Sequence, residues 1–228
     1  MQKEQFLNRI RTSLQHTFLP AASPDHPGSF GGYTFDPAAP TSQLIDQFRQ
    51  ELEALSGYVH VLTETAEAAP TILQILQQHQ ADRLITWDET YLELPGLLAT
   101  LTQAGIRLED SFTPPDGCER ASRLAHLDGV MVGLTGADGC LADTGAIALI
   151  SGPGRGRLAS LLPPVHVALL SVKKLYPSLP AFLRANPDAM SAGSNLVFIA
   201  GPSRSGDIEM TLSIGVHGPG EIHVMMIP

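Results

Sequence analysis

Five apolar segments in the second half of the chain constrain its fold more than any other feature. They are VMVGLT (130–135), AIALIS (146–151), VHVALLS (165–171), NLVFIA (195–200) and IHVMMI (222–227). Each is a nearly continuous apolar run, which is typical of strands covered on both faces. A sheet made of such strands needs packed layers above and below it.

The first half of the domain supplies elements that can form those layers. Helical and strand-like patterns alternate from residue 41 to about residue 109. Two more helices are predicted later in the chain, one after Pro114 and Pro115 and one between the apolar runs at 165–171 and 195–200. The predicted helices are 41–55, 69–79, 94–105, 120–129 and 173–185, and the predicted strands of this half are 58–62, 83–87 and a short one near 106–109. The pattern predicts an α/β fold, a three-layer α/β/α sandwich with a mostly parallel sheet.

The N-terminal region differs in character from the rest. Residues 3–18 place apolar side chains at helical spacing, and PAASPDHPGSFGGYTFDPAAP follows, rich in Pro and Gly. We therefore expect a helix and linker over residues 1–40 and an α/β domain over residues 41–228. This helical arm is suited either to binding a partner or to packing on its own domain.

Composition removes several classes of protein. The 228 residues carry a net charge of −9, which argues against binding to a nucleic-acid backbone. No apolar run approaches the length of a membrane span, and charges interrupt the N-terminus where a signal peptide would be apolar. The two cysteines are too few for a four-cysteine iron–sulfur or zinc site. We expect a soluble, cytoplasmic protein.

Candidate ligand-binding residues follow the predicted strands, since ligands of open α/β sheets bind beyond the carboxyl ends of the strands. The first such loop, within LTGADGCLADTGAIAL, contains Asp143, Thr144 and Gly145. Its backbone amides suit a small anion. An ordinary hairpin turn explains the same residues.

The second loop lies within SGPGRGRLASLL and contains Arg155, Arg157 and Ser160. Two arginines in a glycine-rich frame suit bidentate binding of a phosphate or carboxylate. The loop lacks the Lys-Ser/Thr pair of a nucleotide-binding P-loop. An exposed basic loop without a ligand is the alternative.

The third loop, GPSRSGDIEMTLSIGVHGPGE (201–221), holds the largest set of candidates. They are Gly201, Ser203, Asp207, Glu209, His217 and Gly218. His217 suits acid–base chemistry near neutral pH, whereas a helix starting near Ser205 or Asp207 would make the acidic residues caps or first-turn residues. No GxSxG motif supports a hydrolytic triad. Because the histidines show no HxH, HxxxH or HExxH spacing, no metal site is predicted.

Taken together, GLTGADGCLADTGAIAL, GPGRGRLASLLPPVHVALL and FIAGPSRSGDIEMTLSIGVHGPGEIHVMMI resemble the LUD domain, specifically the lactate utilization protein C family. The resemblance covers about residues 40–228 and implies a fold like the NagB/RpiA/CoA-transferase superfamily. It also implies a part in oxidising L-lactate to pyruvate, with iron–sulfur clusters carried by partner proteins and no cofactor in this chain. The motif positions it transfers are Asp143, Thr144, Gly145, Arg155, Arg157, Ser160, Gly201, Pro202, Ser203, Asp207, Glu209, His217 and Gly218.

Two functions follow as the main alternatives. The first is a non-catalytic or co-catalytic subunit of an L-lactate oxidising complex that binds a small carboxylate. The second is an autonomous enzyme of the CoA-transferase or sugar-phosphate-isomerase type, with Glu209 as base or nucleophile, Arg155 and Arg157 as an anion clamp and His217 as proton shuttle. A regulatory module ranks last, and the oligomeric state is open.

Overall fold

The computed structural model describes residues 39–206, 212–214 and 218–228, together with residues 4, 5, 7, 8 and 12. Residues Pro37–Pro228 form one compact unit. Among the candidates, Asp207, Glu209 and His217 lie outside the described residues. The division into an arm at 1–40 and a domain at 41–228 stays a prediction.

A six-stranded sheet forms the centre of the domain, and every neighbouring pair in it is parallel. Its spatial order is β1-β12-β7-β4-β2-β3. In chain order these strands are β1 (Tyr58–Val61), β2 (Arg83–Thr86), β3 (Arg107–Asp110), β4 (Val132–Gly136), β7 (Val165–Ser171) and β12 (Glu221–Ile227).

Both faces of the central strands are covered. All five residues of β4 are buried, as are the last six of β12. Because successive side chains of a strand point to opposite faces, this burial requires packed layers on both sides. The predicted α/β sandwich with a mostly parallel sheet is confirmed.

Six α-helices among the described residues from 39 onward surround the strands. They are α1 (Thr41–Ala54), α2 (Ala68–Gln78), α3 (Leu97–Gln103), α4 (Gly117–Leu127), α5 (Leu158–Leu161) and α6 (Leu179–Ala185). α1 buries Leu44, Phe48 and Leu52, which recur at helical spacing. Asp116 caps α4 by accepting hydrogen bonds from the amides of Cys118 and Glu119. None of these helices is long and apolar enough to cross a membrane.

Two of the five apolar runs lie in a second sheet, so the expectation of one buried sheet is wrong for them. This mixed sheet has the order β8-β5-β6-β9 and contains β5 (Gly139–Leu141), β6 (Ala146–Ser151), β8 (Leu175–Tyr176) and β9 (Asn195–Ile199). Only four residues separate β5 from β6, so the two strands pair antiparallel as a hairpin. β9 is only partly buried along its length.

The predicted helix at 173–185 is correct only in its second half. Residues Val172–Lys174 form a 3₁₀ turn, β8 follows, and α6 begins at Leu179. Pro177 disfavours helical backbone at Tyr176, whereas Pro180 lies in the first turn of α6, where proline is tolerated. Of the two helix starts considered, one at Ser205 is excluded, because β10 (Arg204–Gly206) pairs antiparallel with β11 (Leu212–Ile214). The other, Asp207, lies outside the described residues.

Candidate functional site

The glycine-rich loop at residues 152–157 lies over the carboxyl edge of the main sheet, where the parallel strands end. The Asp88 amide donates to the Gly154 carbonyl at 2.8 Å. The Gly156 amide donates to Ser111 Oγ, and Trp87 Nε1 donates to the Gly156 carbonyl, both at 2.9 Å. These contacts tie the loop to the segments that follow β2 and β3.

Arg155 ties the same loop to three further segments of the chain. Its guanidinium lies 3.2 Å from Asp138 Oδ1, donates to the Ala192 carbonyl at 3.0 Å, and stacks 4.8 Å from the centre of the Tyr91 ring. Asp138 Oδ2 also accepts a hydrogen bond from the Ile150 amide. Burial raises the pKa of Asp138, and the Ile150 amide and the Arg155 charge offset only part of that effect. Arg155 is therefore already engaged in an internal ion pair.

Arg157 and Ser160 lie close to Arg155 in sequence but differ from it in their surroundings. Arg157 is exposed, and its guanidinium forms no ion pair or hydrogen bond with any described residue. Ser160 is buried and donates its hydroxyl hydrogen to the Arg157 carbonyl at 3.1 Å. Of the two arginines, Arg157 is the one without an ion pair to a described residue.

We expect Arg155→Ala to lower the free energy of unfolding by roughly 2–3 kcal/mol, because it leaves the half-buried Asp138 carboxylate without its counter-charge. Urea denaturation measures the effect. Arg157→Ala is the matched control and should change the value by less than about 0.5 kcal/mol, as exposed substitutions usually do. Equal losses in the two variants would contradict the structural assignment of Arg155.

Asp143, Thr144 and Gly145 form the turn of the β5–β6 hairpin and face α1. Gly145 has φ +62°, and a Cβ there would lie 2.5 Å from the Leu52 amide nitrogen. Asp143 Oδ1 is buried and has no hydrogen-bond partner among the described residues. Burial is the main cause that raises the pKa of Asp143, and the Glu51 carboxylate adds to it.

Gly201, Ser203 and Gly218 lie on the other side of the molecule from Arg155. Ser203 donates its amide hydrogen to the Pro219 carbonyl at 2.8 Å, and Gly218 lies beside the Ser203 side chain. The amides of Gly220 and Glu221 donate to the Pro164 carbonyl, just before β7 and β12 begin. This is the amino edge of the main sheet. The Arg155 loop and the group of Gly201, Ser203 and Gly218 therefore lie at opposite edges of the main sheet and not in one crevice.

The amino edge also carries a cluster of imidazole and carboxylate groups that the sequence interpretation missed. We call it the histidine cluster, and its members are His60, His79, Glu221 and His223. His60 lies on β1, Glu221 and His223 lie on β12, and His79 follows the last residue of α2. Residues two apart on a strand share a face, so Glu221 and His223 point the same way. The pairing of Tyr58 with His223 brings His60 alongside.

Short polar contacts run through the whole cluster. Glu221 Oε1 lies 2.7 Å from His223 Nε2 and 3.2 Å from His79 Nε2. His223 Nδ1 lies 2.9 Å from His60 Nε2, and the Tyr58 ring stacks on His223 at 4.7 Å between ring centres. One carboxylate oxygen thus faces two imidazole nitrogens.

The electrostatics of the cluster favour an ionised Glu221 carboxylate beside neutral His60 and His223 rings. Burial lowers the pKa of His223 and of His60, the latter also through the nearby His223. Burial would raise the pKa of Glu221, but the hydrogen bonds of His223 and His79, together with the positive charge that these rings carry when protonated, outweigh it and lower that pKa. Neutral imidazoles and a carboxylate are groups that accept protons or bind a transition metal.

The signal for this cluster was present in the strands and not in the histidine spacing. Tyr58 and His60 in YVHV, and Glu221 and His223 in EIHV, are polar pairs two residues apart within apolar strands. Such a pair puts two polar side chains on one face of the sheet. Which strands become neighbours, however, is a long-range property of the fold.

The protein is thus an α/β sandwich with the glycine-rich loop at residues 152–157 over the carboxyl edge of its main sheet and the histidine cluster at the amino edge. The model of the LUD domain matches residues 45–227. The chain therefore belongs to the LUD domain family, as its motifs indicated.

Curated relatives agree with this assignment. "Lactate utilization protein C" of Halalkalibacterium halodurans is 32% identical over 161 residues, which cover 69% of this chain and 67% of the relative. The protein of the same name from a Geobacillus species is 29% identical over 181 residues, covering 76% and 75%.

A solved structure supports the fold alone. The crystal structure of a DUF162 family protein from Deinococcus radiodurans matches with a TM-score of 0.59 and 20% sequence identity. The match covers 83% of this chain and 99% of the other.

Proposed function

We propose that this protein serves in L-lactate utilization, as a subunit that works with iron–sulfur partner proteins when L-lactate is oxidised to pyruvate. The observation that carries the proposal is the LUD domain match over residues 45–227, together with relatives of similar length that bear the name lactate utilization protein C. The chain itself would act as a non-catalytic or co-catalytic subunit.

The cysteines support a partner as the site of electron transfer. Oxidation of lactate to pyruvate releases two electrons and two protons, which need an acceptor. An iron–sulfur cluster takes about four cysteine ligands, whereas this sequence has two. Cys140 is buried and Cys118 is exposed, and burial raises the pKa of the Cys140 thiol far above its ordinary value. Electrons from lactate would therefore pass to clusters in another chain.

Arg157 is the residue we propose to bind the carboxylate of a small anion. It is exposed on the 152–157 loop, and Arg155 beside it is held by Asp138. A guanidinium that has no ion pair or hydrogen bond with a described residue can form charge-assisted hydrogen bonds with a carboxylate. Asp207, Glu209 and His217 remain our candidates for proton transfer on the segment that leads to Gly218.

The subunit proposal is tested by purifying the tagged full-length chain from its source organism grown on L-lactate. We expect proteins that contain iron and acid-labile sulfide to co-purify, and L-lactate to reduce an artificial acceptor only when they are present. Lactate oxidation by the isolated chain would overturn the subunit assignment. Normal growth on L-lactate after deletion of the chain would overturn the role in lactate utilization.

The anion site is tested in the same purified complex. Arg157→Ala should raise KM for L-lactate by about tenfold or more, because a charge-assisted hydrogen bond contributes roughly 1.5–3 kcal/mol. Arg184→Ala removes another exposed arginine, on α6, and serves as the control. Equal KM values for the two variants would remove Arg157 from the site.

A further inference from the structure

We propose that His79, Glu221 and His223 bind a divalent transition metal ion, with Zn²⁺ as the typical occupant. The three side chains come from α2 and β12 and lie at the amino edge of the main sheet. The proposal is independent of the role in lactate utilization, because it rests only on the geometry of the histidine cluster.

The donor atoms are close enough to share one ion. One ring nitrogen of His79, one of His223 and a Glu221 oxygen all lie within 4.8 Å of one another. Ligands about 2.0–2.1 Å from a tetrahedral zinc ion stand roughly 3.3 Å apart. The separations of 2.7 and 3.2 Å from Glu221 Oε1 are near that value. A small outward movement of the partly exposed Glu221 carboxylate would make room for the ion.

His60 can form the hydrogen bond to the second ring nitrogen of His223 that metal-bound histidines usually have. A metal binds the lone pair of His223 Nε2, so the ring proton must then reside on Nδ1. That Nδ1 lies 2.9 Å from His60 Nε2, which can accept its hydrogen bond. Such a second partner fixes the tautomer and the ring orientation of a ligand. The Tyr58 ring, stacked on His223, restricts the imidazole further.

The donor set selects the class of metal. Two imidazole nitrogens and one carboxylate oxygen suit Zn²⁺ and its first-row neighbours, whereas Mg²⁺ and Ca²⁺ prefer oxygen ligands. His79 and Glu221 are 23% and 30% exposed, so a further coordination position can face solvent.

The test titrates the metal-free full-length protein with Zn²⁺ and, separately, with Co²⁺. We expect one ion per chain by calorimetry, visible ligand-field bands from Co²⁺, and a higher melting temperature with Zn²⁺. His79→Ala and Glu221→Gln should each weaken binding by about 100-fold or more, because each removes a ligand. His60→Gln should weaken it by about 10–100-fold, as loss of a supporting partner does.

His126→Ala is the matched control, because His126 also pairs with a glutamate but lies far along the chain on α4. It should bind Zn²⁺ as the wild type does. Glu221→Gln keeps the size of the side chain, and its melting temperature without metal shows whether it is folded. Equal Zn²⁺ affinity in the wild type, His79→Ala and Glu221→Gln would overturn the proposal, as would a wild-type protein that gives no Co²⁺ bands.

Discussion

Gly133→Ala should leave the protein largely unfolded, because the new methyl group would coincide with a main-chain atom. A Cβ at residue 133 would lie 1.8 Å from the Ala159 carbonyl oxygen and 2.8 Å from its carbon. Ala159 is fully buried in α5, which packs on β4 at this point. Unlike a side chain, this carbonyl cannot rotate away.

The strand cannot move away either. β4 lies between β2 and β7, and Gly133 pairs with Ile85 on one side and His166 on the other. A shift of β4 would break ladder hydrogen bonds on both sides. We expect a loss of more than about 4 kcal/mol in the free energy of unfolding, a size reserved for severe overpacking or strain. Soluble yield and urea denaturation measure it.

Gly117→Ala is the control for this substitution. Gly117 is the first residue of α4, no heavy atom lies within 4 Å of a Cβ built there, and its φ is not in the left-handed region. Alanine in a compatible helical position should stabilise the protein by up to about 1 kcal/mol. A Gly133→Ala protein that unfolds at the wild-type urea concentration would show that α5 does not approach β4 this closely.

Individual elements of this fold could be predicted from the sequence, but their division between two sheets could not. The bounds predicted for 146–151 and 165–171 match β6 and β7. Both runs are apolar throughout, so nothing within them says that β6 pairs with β5 and β9 while β7 joins the parallel sheet. The four-residue connection from β5 to β6 was the available clue, because it is too short for a parallel crossover.

The division of the strands between two sheets also decides at which edge the candidate residues lie. Gly201 follows a strand, and in a single parallel sheet it would lie at the carboxyl edge with Arg155. Because β9 runs antiparallel to β6 in the second sheet, Gly201 instead lies against Leu55, just before β1 begins. The first of the three candidate loop segments contains β5 and the third contains β10 and β11, which were not predicted as strands. The edge at which each segment lies depended on strand direction, which local patterns do not encode.

The roles of the charged residues depended on partners distant in sequence. Arg155 looked like an anion ligand because its neighbours are glycines, yet its counter-charge, Asp138, lies 17 residues away. His60 and His223 are 163 residues apart and meet only through the pairing of β1 with β12. The local sequence predicted which charged and polar residue types could bind a ligand. The three-dimensional arrangement decided which of them already have an internal partner.

His166 should make the protein markedly less stable as the pH falls from about 6.5 to about 4. The side chain is fully buried in β7, its Nε2 lies 2.9 Å from Thr135 Oγ1, and its buried Nδ1 has no hydrogen-bond partner among the described residues. Burial lowers the pKa of His166 to about 4. Charging this ring inside the sheet would leave the imidazolium without a counter-charge.

The direction of the effect follows from proton binding. The ordinary histidine pKa of 6.5 describes the unfolded chain, so below that pH the unfolded state binds a proton that the folded state refuses until about pH 4. The free energy of unfolding therefore falls by about 3 kcal/mol across this interval through His166 alone, at 1.36 kcal/mol per pKa unit. The lowered pKa values of His60 and His223 act in the same direction.

Two variants distinguish the effect of protonating His166 from the effect of its hydrogen bond with Thr135. The free energy of unfolding of each is measured in urea from pH 7.5 to 4.5. His166→Gln retains an amide near Thr135 but cannot titrate, so its stability should fall less steeply than that of the wild type below pH 6.5. Thr135→Val removes the hydroxyl partner and should cost about 1–2 kcal/mol at pH 7 while keeping the wild-type slope. Carboxyl groups such as Asp138 titrate in all three proteins and cancel in the comparison. Parallel pH profiles for the wild type and His166→Gln would show that the buried imidazole does not limit acid stability.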